Sequence, residues 1–291
     1  ASGEKEWILT SAWRNDVVNS DDYRAYVGGT SGLIYGYVND GFYTVADFES
    51  FDSKSRTWKL KEGVVDSSPL SDTPRPGNAK FKKLTPVDPN STNPYQLTEA
   101  DRTVIGNTTP KFSGGFGLNA TYKGFDMSMF FNFMYDFDVL NANKIMLTTW
   151  ADNKENNFLM DIASDKRWRN FDDMGNEIRY SPEVLAEFNK NATMWNPTSI
   201  GRPICMSYAV EDGSFLRLNS ATLGYTLPSV WTKKVGLSKV RFYVSGNNLF
   251  TLTGYSGYDP EVNIATGLTP NIDYNRYPRS RTYTFGAQLT F

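Results

Sequence analysis

Histidine is absent from this chain, and cysteine occurs once, at Cys205. The first absence removes Ser-His-Asp and Cys-His catalysis and most transition-metal sites. The second removes any internal disulfide and leaves Cys205 as an inert small side chain. An excess of either charge is also missing. Against 32 acidic residues stand 30 basic ones, a net charge of -2, without the basic surplus that a nucleic-acid surface requires. No apolar run approaches the ~18–20 residues of a membrane helix. The opening Ala1-Ser-Gly-Glu-Lys-Glu has no apolar core of a secretion signal. With no initiator Met, the chain is expected to begin part-way through a longer gene product.

What the sequence has in plenty is aromatic residues: 19 Phe, 17 Tyr and 7 Trp make up 15% of it. Combined with a negative mean hydropathy, this suits apolar residues dispersed one in two, as in a transmembrane β-strand. The segment from Phe125 to Asp138 shows the pattern most clearly. Phe125, Met127, Met129, Phe131, Phe133, Tyr135 and Phe137 fall on one side, while Asp126, Ser128, Phe130, Asn132, Met134, Asp136 and Asp138 fall on the other, seven apolar of seven against two of seven. Helical spacing would mix these classes, so the period is two. Upstream, Ser113 to Lys123 alternates in the same way, and Gly124 permits a tight turn, which predicts a long β-hairpin. Further strands are expected at 214–227, with a bulge near Asn219 where the apolar parity switches, at 239–250 and at 281–291. Their length exceeds the ~5–6 residues usual in globular sheets and suits tilted membrane strands of ~9–11 residues. Before residue 113 the reading is weaker: Glu6 to Val18 and Arg56 to Leu60 are candidate strands among loops rich in Gly, Pro, Asn and Ser.

Connection lengths provide a second argument. The Lys123-Gly124 turn and the 228–238 connection are short, whereas 139–213 and 251–280 are long, in register with the strand count. An outer-membrane barrel sorts its loops by side in this way, with short periplasmic turns and long extracellular loops. The expected fold class is therefore all-β, part of a transmembrane antiparallel β-barrel.

Several segments, taken in order, resemble the SusC-like branch of the TonB-dependent transporters, the nutrient importers of Bacteroidota. Val104-Ile-Gly-Asn-Thr-Thr-Pro-Lys-Phe112 is similar to that family's "IGNPNPKF", and Tyr122-Lys-Gly-Phe-Asp126 follows as its hairpin. Glu211-Asp-Gly-Ser-Phe-Leu-Arg-Leu218 through Leu223-Gly-Tyr-Thr-Leu-Pro228 resembles "DGSFLRLKNVTLGYTLP". Asn247-Asn-Leu-Phe-Thr251, Tyr255-Ser-Gly-Tyr-Asp-Pro-Glu261, Tyr277-Pro-Arg-Ser-Arg-Thr-Tyr-Thr-Phe-Gly286 and the final Phe291 complete the pattern. The resemblance implies that residues 1–291 are the C-terminal portion of a 22-stranded barrel, with the plug and TonB box outside this chain. It implies an importer of glycan or peptide fragments in the cell outer membrane. Its expected partners are a SusD-like surface lipoprotein, the remaining barrel and plug, TonB, and outer-membrane lipids. No enzyme activity and no cofactor are expected. The rivals are a complete small barrel, acting as a porin or membrane-bound enzyme, and a secreted polysaccharide-binding β-sandwich. One departure concerns a "DLNGDG" loop that resembles a calcium site in family members. Here the stretch reads Lys83-Leu-Thr-Pro-Val-Asp-Pro-Asn-Ser91, without the acidic spacing of an oxygen-ligand site, so no metal is expected.

On this reading the Phe125–Phe137 row faces lipid. Asp126, Asn132, Asp136 and Asp138 face the lumen, where they hydrate it or contact the plug. The outward aromatics Phe125, Phe137, Tyr225, Tyr283 and Phe291 belong to interface girdles. Trp150, Trp168 and Trp195 in the longest loop offer rings for sugars or peptides, or pack that loop against itself or a lid partner. Tyr255 and Tyr258 either join them or, with Asp259, hold a loop conformation, and the pairs Asp172/Asp173 and Asp259/Glu261 are read as structural or solvating. Tyr283, Phe285, Leu289 and Phe291 resemble an assembly signal for outer-membrane insertion.

Overall fold

In the computed structural model the described residues are 6–9, 21–71, 73–149, 158–163, 165–200, 203–262 and 267–291. The strands before the predicted hairpin are β1 (Glu6–Leu9), β2 (Tyr23–Tyr26), β3 (Leu33–Gly36), β4 (Asn39–Phe42), β5 (Phe48–Asp52), β6 (Thr57–Leu60), β7 (Ala79–Phe81) and β8 (Thr103–Asn107). After them come β9 (Phe112–Tyr122), β10 (Phe125–Tyr135), β11 (Asp138–Asn141), β12 (Val210–Asp212), β13 (Phe215–Thr226), β14 (Lys239–Thr253), β15 (Ile272–Asp273) and β16 (Thr282–Thr290). The helices α1 (Ala142–Met146), α2 (Pro182–Phe188) and α3 (Ser229–Thr232) are short. None is long and apolar enough to cross a membrane.

The long strands form one antiparallel sheet in the order β16-β14-β13-β10-β9, here termed the wall. Its hairpin turn is the expected one. Lys123 and Gly124 both take positive φ, 48° and 88°, the twist that a two-residue hairpin loop demands. A Cβ on Gly124 would also sit 2.9 Å from the carbonyl oxygen of Thr226, so glycine is required twice over. The expected bulge is present: pairing on both sides of β13 skips Asn219. An 11-residue strand such as β9 spans about 36 Å at ~3.3 Å per residue, and tilted ~45° it rises about 25 Å. That is the height of the apolar band of an outer-membrane barrel.

Most of the other described residues fold into a second region, termed the loop body, whereas α3 lies in the short β13–β14 connection at the opposite end of the wall. A small sheet in the order β1-β2-β3-β8 and the hairpin-like pairs β4–β7 and β5–β6 pack against residues 158–209. Phe81, Ile162, Trp195, Ile200 and Met206 form the largest apolar core, and Ile34, Leu140, Ile145, Cys205 and Ile272 a second. The described residues of the 139–213 connection are therefore folded rather than an open loop. Of the two strands expected before residue 113, Thr57–Leu60 matches the second. Glu6–Leu9 matches the start of the first, whose remainder lies outside the described residues.

Candidate functional site

The register of the wall sorts its side chains. Phe125 stands opposite Tyr122 and Tyr225, which continues to Phe242. Met127 aligns with Ala120, Leu223, Val244 and Phe285, and Met129 with Leu118, Ala221 and Tyr283. Phe131 aligns with Phe116, Leu218 and Phe250, and Tyr135 with Phe112. Directly opposed residues of an antiparallel pair share a face, so one face of the wall is apolar throughout. Much of it is open: Phe125 is 50% exposed and Phe285 80%, Met127, Met129, Phe131 and Phe133 are half-buried, and Leu218 and Val240 are buried. Aromatic rings mark both of its ends. Phe125 and Tyr225 pack at 4.5 Å between centroids at one end, and Phe112 and Tyr135 at 6.4 Å at the other.

The second face is mainly polar, carrying Asp126, Ser128, Asn132, Arg217, Thr222, Ser245 and Thr284 beside the apolar Phe130 and Met134. Asp126 accepts a bidentate hydrogen bond from Arg241, whose Nε lies 2.9 Å from Oδ1. Gly224 makes this possible, because a Cβ there would lie 2.3 Å from the Arg241 guanidinium.

Two residues of the predicted rows leave the wall. β10 ends at Tyr135 because Asp136 adopts a left-handed φ of 58°. Phe137 is consequently not in the exposed apolar row or its girdle. It turns inward and is 3% exposed, packed with Val139, Phe215, Tyr255 and Val262. Asp136 lies beyond the strand in an ion pair with Lys111. Asp138 belongs to β11, where its Oδ2 accepts from the Asn107 backbone N–H at 2.7 Å.

Of the loop aromatics, Trp150 lies outside the described residues. Trp168 and Trp195 are each 2% exposed, held in the loop body by Leu185 and Ile178 in one case and by Tyr208 in the other. Tyr255 is buried too, and its hydroxyl donates to Asp273 Oδ2 at 2.7 Å. Burial removes Trp195 and Tyr255 as contact surface, because filling the core takes the full faces of their rings. Tyr258 is 85% exposed. Tyr283, Phe285 and Leu289 lie along β16, an edge of the wall, and Phe291 follows it.

What sequence reading missed is a charge network at the foot of the loop body. Arg217, 1% exposed, donates Nη1 to Asn248 Oδ1 at 2.7 Å and Nη2 to Asp259. Glu261 Oε2 lies 3.5 Å from its Nε and 3.1 Å from Arg279 Nη1. Asp259 and Glu261 thus clamp the 251–280 connection onto the polar face, a structural role. The signal was present in Leu216-Arg217-Leu218, a lone cation on the polar parity of a wall strand. A second hub is Asp101, fully buried. It accepts from the backbone N–H groups of Leu84, Thr85 and Thr98, at 2.9, 2.7 and 2.8 Å, and from Lys83 Nζ at 3.4 Å. Burial alone would raise its pKa, but these donors outweigh that and hold its carboxyl well below the usual range.

No family model matches the chain. Among curated proteins it is 33% identical over 270 residues to TonB-dependent receptor P3 of Formosa agariphila, covering 91% of this chain and 22% of that protein. It is 38% identical over 88 residues to TonB-dependent receptor SusC of Bacteroides thetaiotaomicron, covering 29% of this chain and 8% of SusC. This chain is a homologue of the TonB-dependent receptors over part of their length. The fold agrees. A chain of the RagAB peptide importer in its 'open-open' state superimposes with a TM-score of 0.60 at 21% identity, over 100% of this chain and 24% of that one. The wall is accordingly a segment of a large barrel, and the homologues are receptors and transporters rather than enzymes.

Proposed function

We propose that this chain supplies part of the barrel wall and the adjoining loop body of a TonB-dependent importer of glycan or peptide fragments in the outer membrane. The importer works with a SusD-like surface lipoprotein. The carrying observation is the continuous, largely open apolar face of the wall together with its two edges, β9 and β16, neither of which has a further partner strand among the described residues. An open edge in hydrocarbon leaves backbone N–H and C=O groups unsatisfied, at several kcal/mol each, so a membrane wall of this kind must be closed by other strands. A 22-stranded barrel closes it. On this reading the 139–213 and 251–280 connections, which share the end of the wall opposite the Lys123-Gly124 turn, are extracellular. The polar face, with Asp126 and Asn132, lines the lumen, and substrate contact falls to exposed positions such as Tyr258. The aromatic β16 edge serves as the assembly signal. Import is gated through a plug by TonB and involves no chemical conversion.

The test is uptake by cells carrying the intact receptor. Deleting the receptor, TonB or the lipoprotein should each abolish growth on the imported fragments. Uptake that persists without TonB would overturn this reading in favour of a passive barrel.

A further inference from the structure

We propose that the loop body carries a binding cleft for an oligosaccharide bearing carboxylate groups, of the uronate type. The import reading is needed for the ligand's passage, whereas binding needs only the cleft.

A hollow of about 380 Å³ opens on the loop body between Arg167, Arg169, Arg179, Phe171, Asn170 and Thr198. A neighbouring hollow of about 260 Å³ shares Asn170, Arg179 and Thr198 with it and adds Trp58, Arg75 and Tyr180. The two form one trough in the size range of small-ligand sites. Its lining holds four arginines against the single carboxylate of Asp172, in a chain whose net charge is -2. Asp172 is itself committed, accepting from the Asn176 side chain at 2.9 Å and from backbone N–H groups of Met174 and Asn176.

The arginines are held as flat, oriented forks. Arg179 lies 5.5 Å from the Phe171 ring and 5.6 Å from the Tyr180 ring, and Arg169 lies 4.5 Å from the Phe188 ring. Planar guanidinium matches carboxylate in a bidentate manner. Three of the four already hold partners: Arg169 with Asp173 at 2.7 Å, Arg179 with Glu177 at 2.5 Å, and Arg167, whose Nη1 donates to the Ile162 carbonyl at 3.3 Å. Asp173 is 78% exposed and Glu177 39% exposed at the side chain. Exposed pairs of this kind are weak and screened, so an incoming carboxylate can displace them. The indole N–H of Trp168 also lines the trough and is buried without an acceptor.

Ring and hydroxyl chemistry favours a sugar over a peptide. Phe171, 46% exposed, offers flat apolar area, and the Asn170 side chain can pair with hydroxyls, whereas Asn196 Oδ1 already accepts from the Thr198 hydroxyl and backbone N–H. Peptide capture by strand addition needs a sheet edge. In the lining only Trp58 belongs to a strand, β6 of the two-stranded β5–β6 sheet; Leu185 belongs to α2, and the rest to turns, bends, bridges, irregular segments and the 3-10 helix Pro197–Ser199.

The test is calorimetric titration of the intact receptor in detergent with trigalacturonate, maltotriose and triglutamate. Trigalacturonate should bind saturably and more weakly as salt rises, and maltotriose at least tenfold more weakly. The double variant Arg169→Gln, Arg179→Gln should lose at least tenfold in affinity. Arg169→Lys, Arg179→Lys, which keeps charge without the fork, should lie between it and the native receptor. Unaltered heat-dependent gel mobility of the variants shows that the barrel has folded. Equal binding of maltotriose, tighter binding of triglutamate, or no effect of the glutamine variants in a folded barrel would overturn the proposal. Binding without uptake would refute the import reading and leave the cleft standing, whereas uptake without binding would do the reverse.

Discussion

The wall and the loop body are built from the same residue types, yet they bury them in opposite directions. In the loop body, Trp195, Phe81, Ile200 and Met206 are all 2% exposed or less and surrounded by protein. In the wall, Phe116, Leu118, Leu223 and Phe242 are 44%, 50%, 48% and 52% exposed, and their polar neighbours lie on the opposite face. The difference teaches that apolar content does not locate a core. The periodicity does, because it tells which medium each side chain meets. Where every second residue is apolar over eleven positions, the partner is a solvent rather than another element.

The largest effect expected from breaking this comparison is in the loop body. Trp195→Ala should destabilise it by about 3–5 kcal/mol, seen as faster amide exchange around residues 158–206 while β9 and β10 stay protected. Exchange rising equally in the wall would mean that the two regions are one cooperative unit. Next is a charge on the apolar face. Met129→Arg should cost about 2–4 kcal/mol in a lipid bilayer by urea titration in liposomes, whereas Ser128→Arg on the polar face should be nearly neutral. A reversed order would invert the assignment of faces.

Asp101→Asn removes a buried acceptor of several donors and should cost about 1.5–3 kcal/mol in the loop body. The sign of its pH dependence follows from a folded pKa held below the ordinary aspartate value. Its contribution is present above that ordinary value and is lost as pH falls below it. Amide exchange at Leu84 and Thr85 should therefore quicken in acid in the native protein and become pH-independent, beyond intrinsic rates, in the variant. The smallest effect is at the surface. Breaking the Lys59–Glu49 ion pair, 2.7 Å long with both side chains more than half exposed, should change stability by about 0–1 kcal/mol.

The wall was legible in the sequence because strand pairing imposes a period that survives in the residue string. The Phe125–Tyr135 row, the Lys123-Gly124 turn and the Asn219 bulge all follow from parity alone. Phe137 shows the limit of that logic. Alternation continues through Asp136, but an aspartate tolerates a left-handed backbone, and its polarity fits both a lumen position and a strand terminus. The loop body was not legible. Its cores join short pieces such as β7, β11 and α1, each too brief to show a period, and its pairings, such as Arg217 with Asp259, cross 42 positions. Trp168 and Trp195 could be read only as loop aromatics, because burial there is decided by tertiary contacts.

The most direct measurement places spin labels one at a time from Phe125 to Tyr135 in the intact receptor in liposomes and compares collisions with oxygen and with a water-soluble nickel complex. Labels at 125, 127, 129, 131, 133 and 135 should favour oxygen, those at 126, 128 and 132 should favour nickel, and the signal should alternate across the strand. A flat profile, with the odd positions shielded from both reagents by protein, would contradict the account.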